Sequence, residues 1–398
     1  MSKITSITGQ EILDSRQKPT LAVTVKTDTL AEGYCFVPAG ASTGAREALA
    51  LPLPEALAGL KEIADLLVGQ EVSEQDKLDQ LMIDADGTEN KSRLGGNAMI
   101  GASIAIARAA ASENNQELFQ YLKPLSPQNQ TAPPPHLFMN LINGGAHAPY
   151  GSAIQEYQVI PQTNDIRQAL AIGRQTFAHL ETLVAKRFAP SDFTQGDEGG
   201  LAINDPDPEL PLELLTEAVT DRDRVKFGLD AAANSFYRDG QYQLADQTFT
   251  TEQLSRWYQN IFRQYSLFGL EDPFAEEDFT AFANLKKHLF NALIIGDDLT
   301  VTKEDRLQQA IEADSINSLI IKPNQIGTLT ETINTINLAH TAGIKTIASH
   351  RSGETTDTFI ADIAYAFGCF GLKAGAPDAN FRDQKYKRLL AITTIDGK

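Results

Sequence analysis

The sequence has few cysteines, no long apolar segment and no apolar leader. Its 398 residues include two cysteines, Cys35 and Cys369, which lie too far apart to indicate a disulfide framework. The longest apolar stretch, residues 98–111, is interrupted by Arg108 and is too short and too rich in alanine to span a bilayer. Residues 1–11 lack the apolar core of a secretory signal. We therefore expect a cytoplasmic protein, with a buried helix near residues 98–111.

The sequence also has a deficit of basic side chains. It carries 34 lysines and arginines against 52 aspartates and glutamates, for a formal net charge of -18. A chain of this charge repels nucleic acid and anionic membranes, so neither is expected as a partner. An anionic substrate would therefore need metal ions or clustered lysine and arginine side chains to create positive charge locally.

Length and proline placement predict two domains. A chain of 398 residues exceeds one ordinary core. Five prolines lie between residues 123 and 135, where they exclude a continuous helix or a central strand, and we interpret residues 125–135 as a linker. Residues 1–124 mix strand and helix patterns, as an α+β domain does. Residues 136–398 alternate short apolar runs with helical stretches, which predicts strand–helix units and a parallel sheet.

Six apolar runs in the second domain each end in charge. The runs and the charged residues that follow them are 225–229 with Asp230, 267–270 with Glu271 and Asp272, 292–295 with Asp297 and Asp298, 318–321 with Lys322, 346–349 with His350 and Arg351, and 370–372 with Lys373. One such charge would carry no information, because loops are polar in general. In a closed barrel, however, the carboxyl ends of parallel strands meet on one face, where barrel enzymes place their chemistry. The six runs together favour an active site on that face.

Three of these strand-end residues are carboxylates that would share one volume: Asp230, Glu271 and Asp297. Such acids would repel one another, and a divalent cation removes the conflict. Ligand sets made only of oxygen select hard ions, with Mg²⁺ favoured beside phosphate. The sequence therefore predicts a magnesium site, although each acid alone could be a solvated surface group.

Lys322 and Lys373 follow on neighbouring strands and admit two interpretations. A lysine near metal ions and another cation has a lowered pKa and can act as a general base. Either lysine could instead only balance the charge of the three acids, and the two roles are compatible. The sequence alone leaves both open.

Further polar residues complete the candidate site. Arg351 and Ser352 offer donors that suit a phosphate monoester. Glu198 stands in a glycine-rich turn at residues 195–200, where it could serve as a general acid opposite a lysine base. His147 ends a second glycine-rich segment, and from the residues alone it is more simply a structural histidine. A base, an acid and a metal-bound carboxylate together indicate proton removal beside a carboxylate, followed by departure of hydroxide.

At this point the motifs resemble the enolase family along nearly the whole chain. The matching segments are EILDSR at 11–16, GASTG at 40–44, DGTENK at 86–91, GNA at 96–98, NQIGTLT at 324–330 after Lys322, and SHRSGET at 349–355. The resemblance implies an N-terminal α+β capping domain and a TIM-like α/β barrel with an irregular, partly antiparallel start. It also implies a homodimer or a ring of dimers.

The resemblance further implies a lyase of glycolysis, phosphopyruvate hydratase, which interconverts 2-phosphoglycerate and phosphoenolpyruvate with two Mg²⁺ ions in each site. The implied roles are Lys322 as base, Glu198 as acid with Glu156 beside it, Asp230, Glu271 and Asp297 as ligands of the first Mg²⁺, Ser42 as a ligand of the second, Lys373 at the substrate carboxylate, Arg351 and Ser352 at the phosphate, and His147 and His350 as substrate contacts. The implied role of His147 replaces the structural interpretation given above.

Three other hypotheses are compatible with parts of this pattern. One is a related superfamily enzyme that acts on a non-phosphorylated carboxylate, which the phosphate-binding pair Arg351 and Ser352 disfavours. Another is a non-catalytic scaffold that kept the fold, although no expected site group is missing. The third is a barrel aldolase with Lys322 or Lys373 as a Schiff-base nucleophile, which would work without metal.

Overall fold

The N-terminal part of the chain begins with a three-stranded antiparallel sheet. The computed structural model describes residues 2–40, 44, 46–125 and 132–397. Strands β1 (Ile4–Leu13), β2 (Pro19–Thr27) and β3 (Glu32–Phe36) follow one another in the order β1-β2-β3. Leu21, Val23 and Val25 share one face of β2 and are fully buried, so this face forms the floor of the domain core.

Four helices follow this sheet, and α1 and α3 pack on it: α1 (Leu53–Leu67), α2 (Gln75–Asp86), α3 (Gly96–Glu113) and α4 (Leu118–Leu122). The predicted buried helix is confirmed, since every residue from Ala98 to Ala111 in α3 except Arg108 is buried. Its small side chains let α3 lie directly on β3. A Cβ atom at Gly33 would stand only 2.0 Å from the carbonyl oxygen of Ala105, so this crossing requires glycine.

The second part of the chain alternates strands and helices. Its strands are β4 (His136–Asn143), β5 (Glu156–Pro161), β6 (Phe193–Gln195), β7 (Leu201–Ile203), β8 (Val225–Asp230), β9 (Tyr237–Arg238), β10 (Gln241–Leu244), β11 (Gln247–Phe249), β12 (Leu267–Glu271), β13 (Leu293–Gly296), β14 (Ser318–Ile321), β15 (Lys345–Ser349) and β16 (Gly371–Lys373). Its helices are α5 (Ile166–Arg187), α6 (Leu210–Ala218), α7 (Thr251–Gln264), α8 (Phe279–His288), α9 (Glu304–Glu312), α10 (Pro323–Ile326), α11 (Leu329–Thr341), α12 (Phe359–Ala366) and α13 (Asn380–Ile395).

Eight of these strands close into a barrel, which confirms the expected fold class. The barrel order is β4, β5, β8, β12, β13, β14, β15 and β16, and β16 pairs with β4 to close the ring. β5 runs antiparallel to both of its neighbours, while the other barrel pairs are parallel. The irregular, partly antiparallel start is therefore present. Six apolar side chains fill the barrel interior: Phe138, Ile160, Leu293, Ile295, Ile320 and Ile347.

Main-chain bonds tie the segment after β15 to the N-terminal domain. Ala39 and Gly353 exchange two backbone hydrogen bonds of 2.8 Å, and the Ser15 amide donates to the Glu354 carbonyl at 2.7 Å. A Cβ atom at Gly353 would lie 2.3 Å from side-chain atoms of both Asp14 and Arg16, so only glycine allows this close approach. The bonds fix the segment that carries Arg351 and Ser352 relative to the N-terminal domain.

A buried ion pair also joins the two parts of the chain. The Arg108 guanidinium donates to both carboxylate oxygens of Asp357, at 2.8 and 2.6 Å, and the Phe36 amide donates to the same carboxylate at 2.8 Å. Burial raises the pKa of Asp357, but the Arg108 charge outweighs it and the net pKa is lowered. The pair therefore holds α3 against the barrel.

None of the helices in the described ranges is long and apolar enough to cross a bilayer. The division into residues 1–124, 125–135 and 136–398 remains a prediction, since residues 126–131 of the linker lie outside the described part of the chain.

Candidate active site

The three predicted metal ligands lie at the carboxyl ends of adjacent strands, although their carboxylate oxygens do not all lie within 4.8 Å of one another. Asp230 and Glu271 end β8 and β12 and stand directly opposite each other in register, and Asp297 follows β13. All three are buried, with exposed fractions of 3%, 1% and 7%. Burial and then the Asp230 carboxylate raise the pKa of Glu271 well above its ordinary range. Burial and repulsion between the carboxylates thus disfavour their charged forms, which a bound cation would favour.

Lys373 supplies part of the positive charge from the end of β16. Its Nζ lies 2.8 Å from both carboxylate oxygens of Glu271, 3.1 Å from Asp230 Oδ2 and 3.1 Å from Glu156 Oε1. Burial alone would lower the pKa of Lys373, but the carboxylates around it outweigh burial and hold the pKa well above its usual range. Lys373 is thus a fixed cation, which fits charge balance and anion binding better than proton uptake.

Lys322 follows β14 and forms an ion pair with Oδ2 of Asp297. Burial and the nearby Arg351 and Lys373 charges push its pKa down, as expected from the sequence, but Asp297 outweighs them. The net pKa of Lys322 in this structure is raised, so the expected lowering is not found here. The reason is that one predicted metal ligand is also the counterion of the predicted base.

A second acidic group lies beside the first. Carboxylate oxygens of Asp272, Asp297 and Asp298 lie within 4.8 Å of one another, a spacing that could hold a metal ion. Burial and then Asp298 raise the pKa of Asp272 well above its ordinary range, and burial and then Asp297 raise that of Asp298 to about 8. Sequence reasoning gave Asp272 and Asp298 no role, although both directly follow predicted ligands. This donor set consists of carboxylate oxygens only, which fits Mg²⁺.

Two glutamates and a histidine lie on another side of the candidate site. His147 Nδ1 lies 3.7 Å from Glu156 Oε1 and 3.6 Å from Glu198 Oε1. Asn140 donates to Glu198 Oε2 at 3.0 Å, and Gln158 donates to Glu156 Oε2 at 2.9 Å. Both carboxylates are almost fully buried. The sequence gave no sign of the two amides, which reach the acids from the neighbouring strands β4 and β5.

The two glutamates hold unlike charges. Burial and then the Glu198 charge raise the pKa of Glu156 to about 8. Burial also raises the pKa of Glu198, but the His350 and His147 rings outweigh it, and the net pKa lies well below its usual range. The pKa of Glu156 thus lies above that of Glu198, which favours a proton on Glu156 over one on Glu198 near neutral pH.

Arg351, the predicted phosphate ligand, already holds a carboxylate. Its two terminal nitrogens donate to the Glu47 carboxylate oxygens at 3.0 to 3.2 Å, and one of them donates to Asn324 Oδ1 at 3.0 Å. Glu47 Oε1 also accepts from the Gly44 amide at 3.1 Å. Glu47 thus connects the glycine-rich segment with Arg351. Sequence reasoning missed it, although it stands only three residues beyond the GASTG motif.

One cavity collects most of the predicted residues. Its lining includes Glu156, Glu198, His147, His350, Lys322, Lys373, Arg351, Ser352 and Asp230. Ser42 lies outside the described residues. The structure therefore brings the predicted base, acid and anion-binding groups to one place, with Glu271 and Asp297 adjoining through their lysine partners.

Comparisons with known proteins give one family along nearly the whole chain. Two family models match the chain: "Enolase, N-terminal domain" over residues 4–122, and "Enolase, C-terminal TIM barrel domain" over residues 131–397. A protein named enolase from Methanopyrus kandleri is 40% identical over 98% of this chain and 96% of its own length. Enolases of Acidothermus cellulolyticus and Methanocaldococcus jannaschii are 41% and 38% identical, each over 98% of this chain and over 94% and 95% of their own lengths.

Proposed function

The chain belongs to the enolase family, and we propose that its site carries out the reversible dehydration of 2-phosphoglycerate to phosphoenolpyruvate. It is therefore a hydro-lyase of glycolysis. The observation that carries the assignment is the cavity in which the Lys322 amine, the pair Glu156 and Glu198, and the Arg351 guanidinium all meet. A base, a shared acid proton and an anion clamp are the groups that this reaction needs.

Asp230, Glu271 and Asp297 would hold the first Mg²⁺ ion. When bound, the ion supplies the positive charge that stabilises developing negative charge on the substrate carboxylate. A second ion per site, with Ser42 as one ligand, is part of the proposal. The described acids Asp272 and Asp298 support it, because burial and the neighbouring carboxylates raise their pKa values, and a divalent cation would favour their charged forms.

Lys322 would take the proton from the carbon beside the substrate carboxylate. Its amine must be unprotonated for this step, and Arg351 and Lys373 favour that form while Asp297 opposes it. Any rearrangement that weakens the pair with Asp297 therefore prepares the base. Lys373, whose pKa is far too high for this task, would instead hold the substrate carboxylate as a cation.

The pair Glu156 and Glu198 would donate a proton to the departing hydroxide. Because one proton is held between two buried carboxylates, the pair can give it up in dehydration and accept it in hydration. We assign Glu198 as the acid, with Glu156 as its proton partner. His147 and His350 flank Glu198 and would contact the substrate.

Arg351 and Ser352 would bind the phosphate. Guanidinium and phosphate form paired hydrogen bonds, and Arg351 already uses this geometry with the Glu47 carboxylate. Lys373 and Arg351 at separate positions match a substrate that carries a carboxylate and a phosphate. A non-phosphorylated hydroxy acid would leave the second position unused.

The test is an ultraviolet assay for the enol product from 2-phosphoglycerate, run with Mg²⁺ and again with excess chelator. Product that forms only with Mg²⁺ supports the proposal. Turnover of a panel of non-phosphorylated hydroxy acids without any of 2-phosphoglycerate would assign the site to a related superfamily reaction. Metal-independent turnover with inactivation by borohydride would point to an aldolase, and no turnover at all to a scaffold.

We also propose that the chain forms a homodimer or a ring of dimers and acts in the cytoplasm, as its family membership suggests. Light scattering coupled to gel filtration tests the assembly. The domain division at residues 1–124, 125–135 and 136–398 is retained as a proposal that limited proteolysis within the proline-rich stretch would test.

A further inference from the structure

Arg382 lies in the first turn of α13 and reaches two segments of the active site at once. Only 1% of the residue is exposed. Its Nη1 donates to His350 Nδ1 at 2.7 Å and to the Arg351 carbonyl at 2.5 Å. Its Nη2 donates to the Asp197 carbonyl at 3.1 Å and to the Ser352 carbonyl at 2.6 Å. One buried side chain thus connects the turn that precedes Glu198 with the segment 350–352.

The contact with His350 determines where the imidazole proton resides. A guanidinium has only donors, so His350 Nδ1 must accept and its proton must be on Nε2. Nε2 lies 3.1 Å from Glu198 Oε1, so the ring edge that carries this proton touches the carboxylate, although the pair does not have the geometry of a regular hydrogen bond. Burial lowers the pKa of His350 to about 4, with Glu198 and Glu354 opposing and Arg382 adding to the effect. The ring is therefore neutral near pH 7, and its tautomer matters.

We propose that Arg382 is a positioning residue for the reaction: it keeps the His350 proton on Nε2, so that an N–H group rather than a ring lone pair faces the Glu198 carboxylate. With the opposite tautomer, a ring lone pair would face the Glu198 carboxylate, and the two would repel. The proton shared by Glu156 and Glu198 would then no longer favour Glu156. This inference rests on the proposed function, because it concerns the assigned acid.

A second contact from α13 supports the same face of the site. The Tyr386 hydroxyl donates to the Gly375 carbonyl at 2.7 Å, and the next amide, that of Ala376, donates to the Glu198 carbonyl at 3.0 Å. The main chain of Glu198 is thus fixed independently of Arg382. Removal of the Arg382 guanidinium should therefore change the tautomer of His350 more than the position of Glu198.

The experiment is long-range ¹H–¹⁵N correlation on protein with ¹⁵N-labelled histidines, of which the chain has 6, with His350 assigned through His350→Gln. In the unmodified protein near neutral pH we expect His350 to be protonated on Nε2 alone. In Arg382→Met we expect a mixture of tautomers and a kcat lower by about ten- to a hundred-fold, with KM changed far less. Arg382→Lys, which keeps a donor, should restore the tautomer in part.

Arg388→Met is the matched control. Arg388 also lies in α13, but its bonds go to Asp362 and Glu117, away from the site, so the His350 spectrum and kcat should not change. A proton on Nδ1 in the unmodified protein, or an unchanged tautomer in Arg382→Met, would overturn the inference. If Arg382→Met does not fold, the spectra of the unmodified protein and of Arg382→Lys decide. The expected tautomer in a protein without dehydratase activity would overturn the proposed function alone.

Discussion

Replacement of Asp79 by asparagine should make the stability of this protein less dependent on pH. Asp79 lies in α2 and is fully buried. Its Oδ2 accepts from the amide and the hydroxyl of Thr330, at 2.9 and 2.6 Å, and its Oδ1 accepts from Gln75 Nε2 at 3.1 Å. Burial outweighs these bonds and raises the pKa of Asp79 from 3.8 to about 6. The carboxylate joins the N-terminal domain to α11 of the barrel, so its ionisation affects the contact between the domains.

The direction and size of the pH-dependent change in the free energy of unfolding follow from the linkage between folding and proton binding. The folded state binds the Asp79 proton more tightly than the unfolded state, so this contribution to stability is complete below pH 3.8 and is lost as pH rises through about 6. A shift of roughly two units corresponds to about 3 kcal/mol in total. Between about pH 5 and about pH 7.5, the carboxyl accounts for a loss of about 1 kcal/mol. Asparagine cannot ionise, so the loss should be absent in the variant.

Denaturant unfolding of both proteins at the two pH values measures this difference, and effects of all other groups cancel between them. Asp84→Asn is the control, because Asp84 lies in the same helix but is exposed. It should keep the pH dependence of the unmodified protein. An Asp79→Asn variant with that same dependence would show that the Asp79 pKa is not raised on folding and would refute the reasoning.

Three further predictions concern catalysis, metal and domain contact. Lys322→Ala should lower kcat by several orders of magnitude with the fold intact, as measured by steady-state kinetics. Lys345→Ala, at the opposite end of the barrel, is the control and should leave kcat unchanged. Near-normal turnover of Lys322→Ala would show that Lys322 is not the base. Asp297→Asn should steeply raise the Mg²⁺ concentration needed for activity, and an unchanged Mg²⁺ titration would count against this ligand. Asp357→Asn should lower the free energy of unfolding by about 3–5 kcal/mol, because it leaves the Arg108 charge buried without its partner. A loss below about 1 kcal/mol in chemical denaturation would contradict this prediction.

The strand ends were the part of the site that could be predicted from residue patterns. Strands buried on both faces are apolar throughout, so the first charged residue marks where each strand leaves the barrel. Asp230, Lys322 and Lys373 were found in this way. Glu156 could not be, because it begins β5, whose antiparallel course brings an amino end rather than a carboxyl end to the catalytic face. Its assignment came from family resemblance alone.

Other parts of the site depend on contacts that no local pattern contains. Glu47 pairs with Arg351 across 304 positions of sequence, and Arg382 reaches His350 from a helix 32 positions away. The raised pKa of Lys322 depends on Asp297 as its counterion, and the sequence does not show which of the acids faces this lysine. Pairings of this kind follow from the closed barrel and become visible only when the chain is folded.

The contact between Glu47 and Arg351 has a consequence for how such a protein can be inherited. The barrel carries the arginine, but its carboxylate partner and the backbone partners of Gly353 belong to the preceding domain. A barrel moved alone by gene fusion or recombination would arrive with a buried cation unmatched and its substrate-binding segment without its main-chain bonds. The two domains should therefore be inherited together. Exchange of one domain between distant relatives should require compensating changes where the two domains touch.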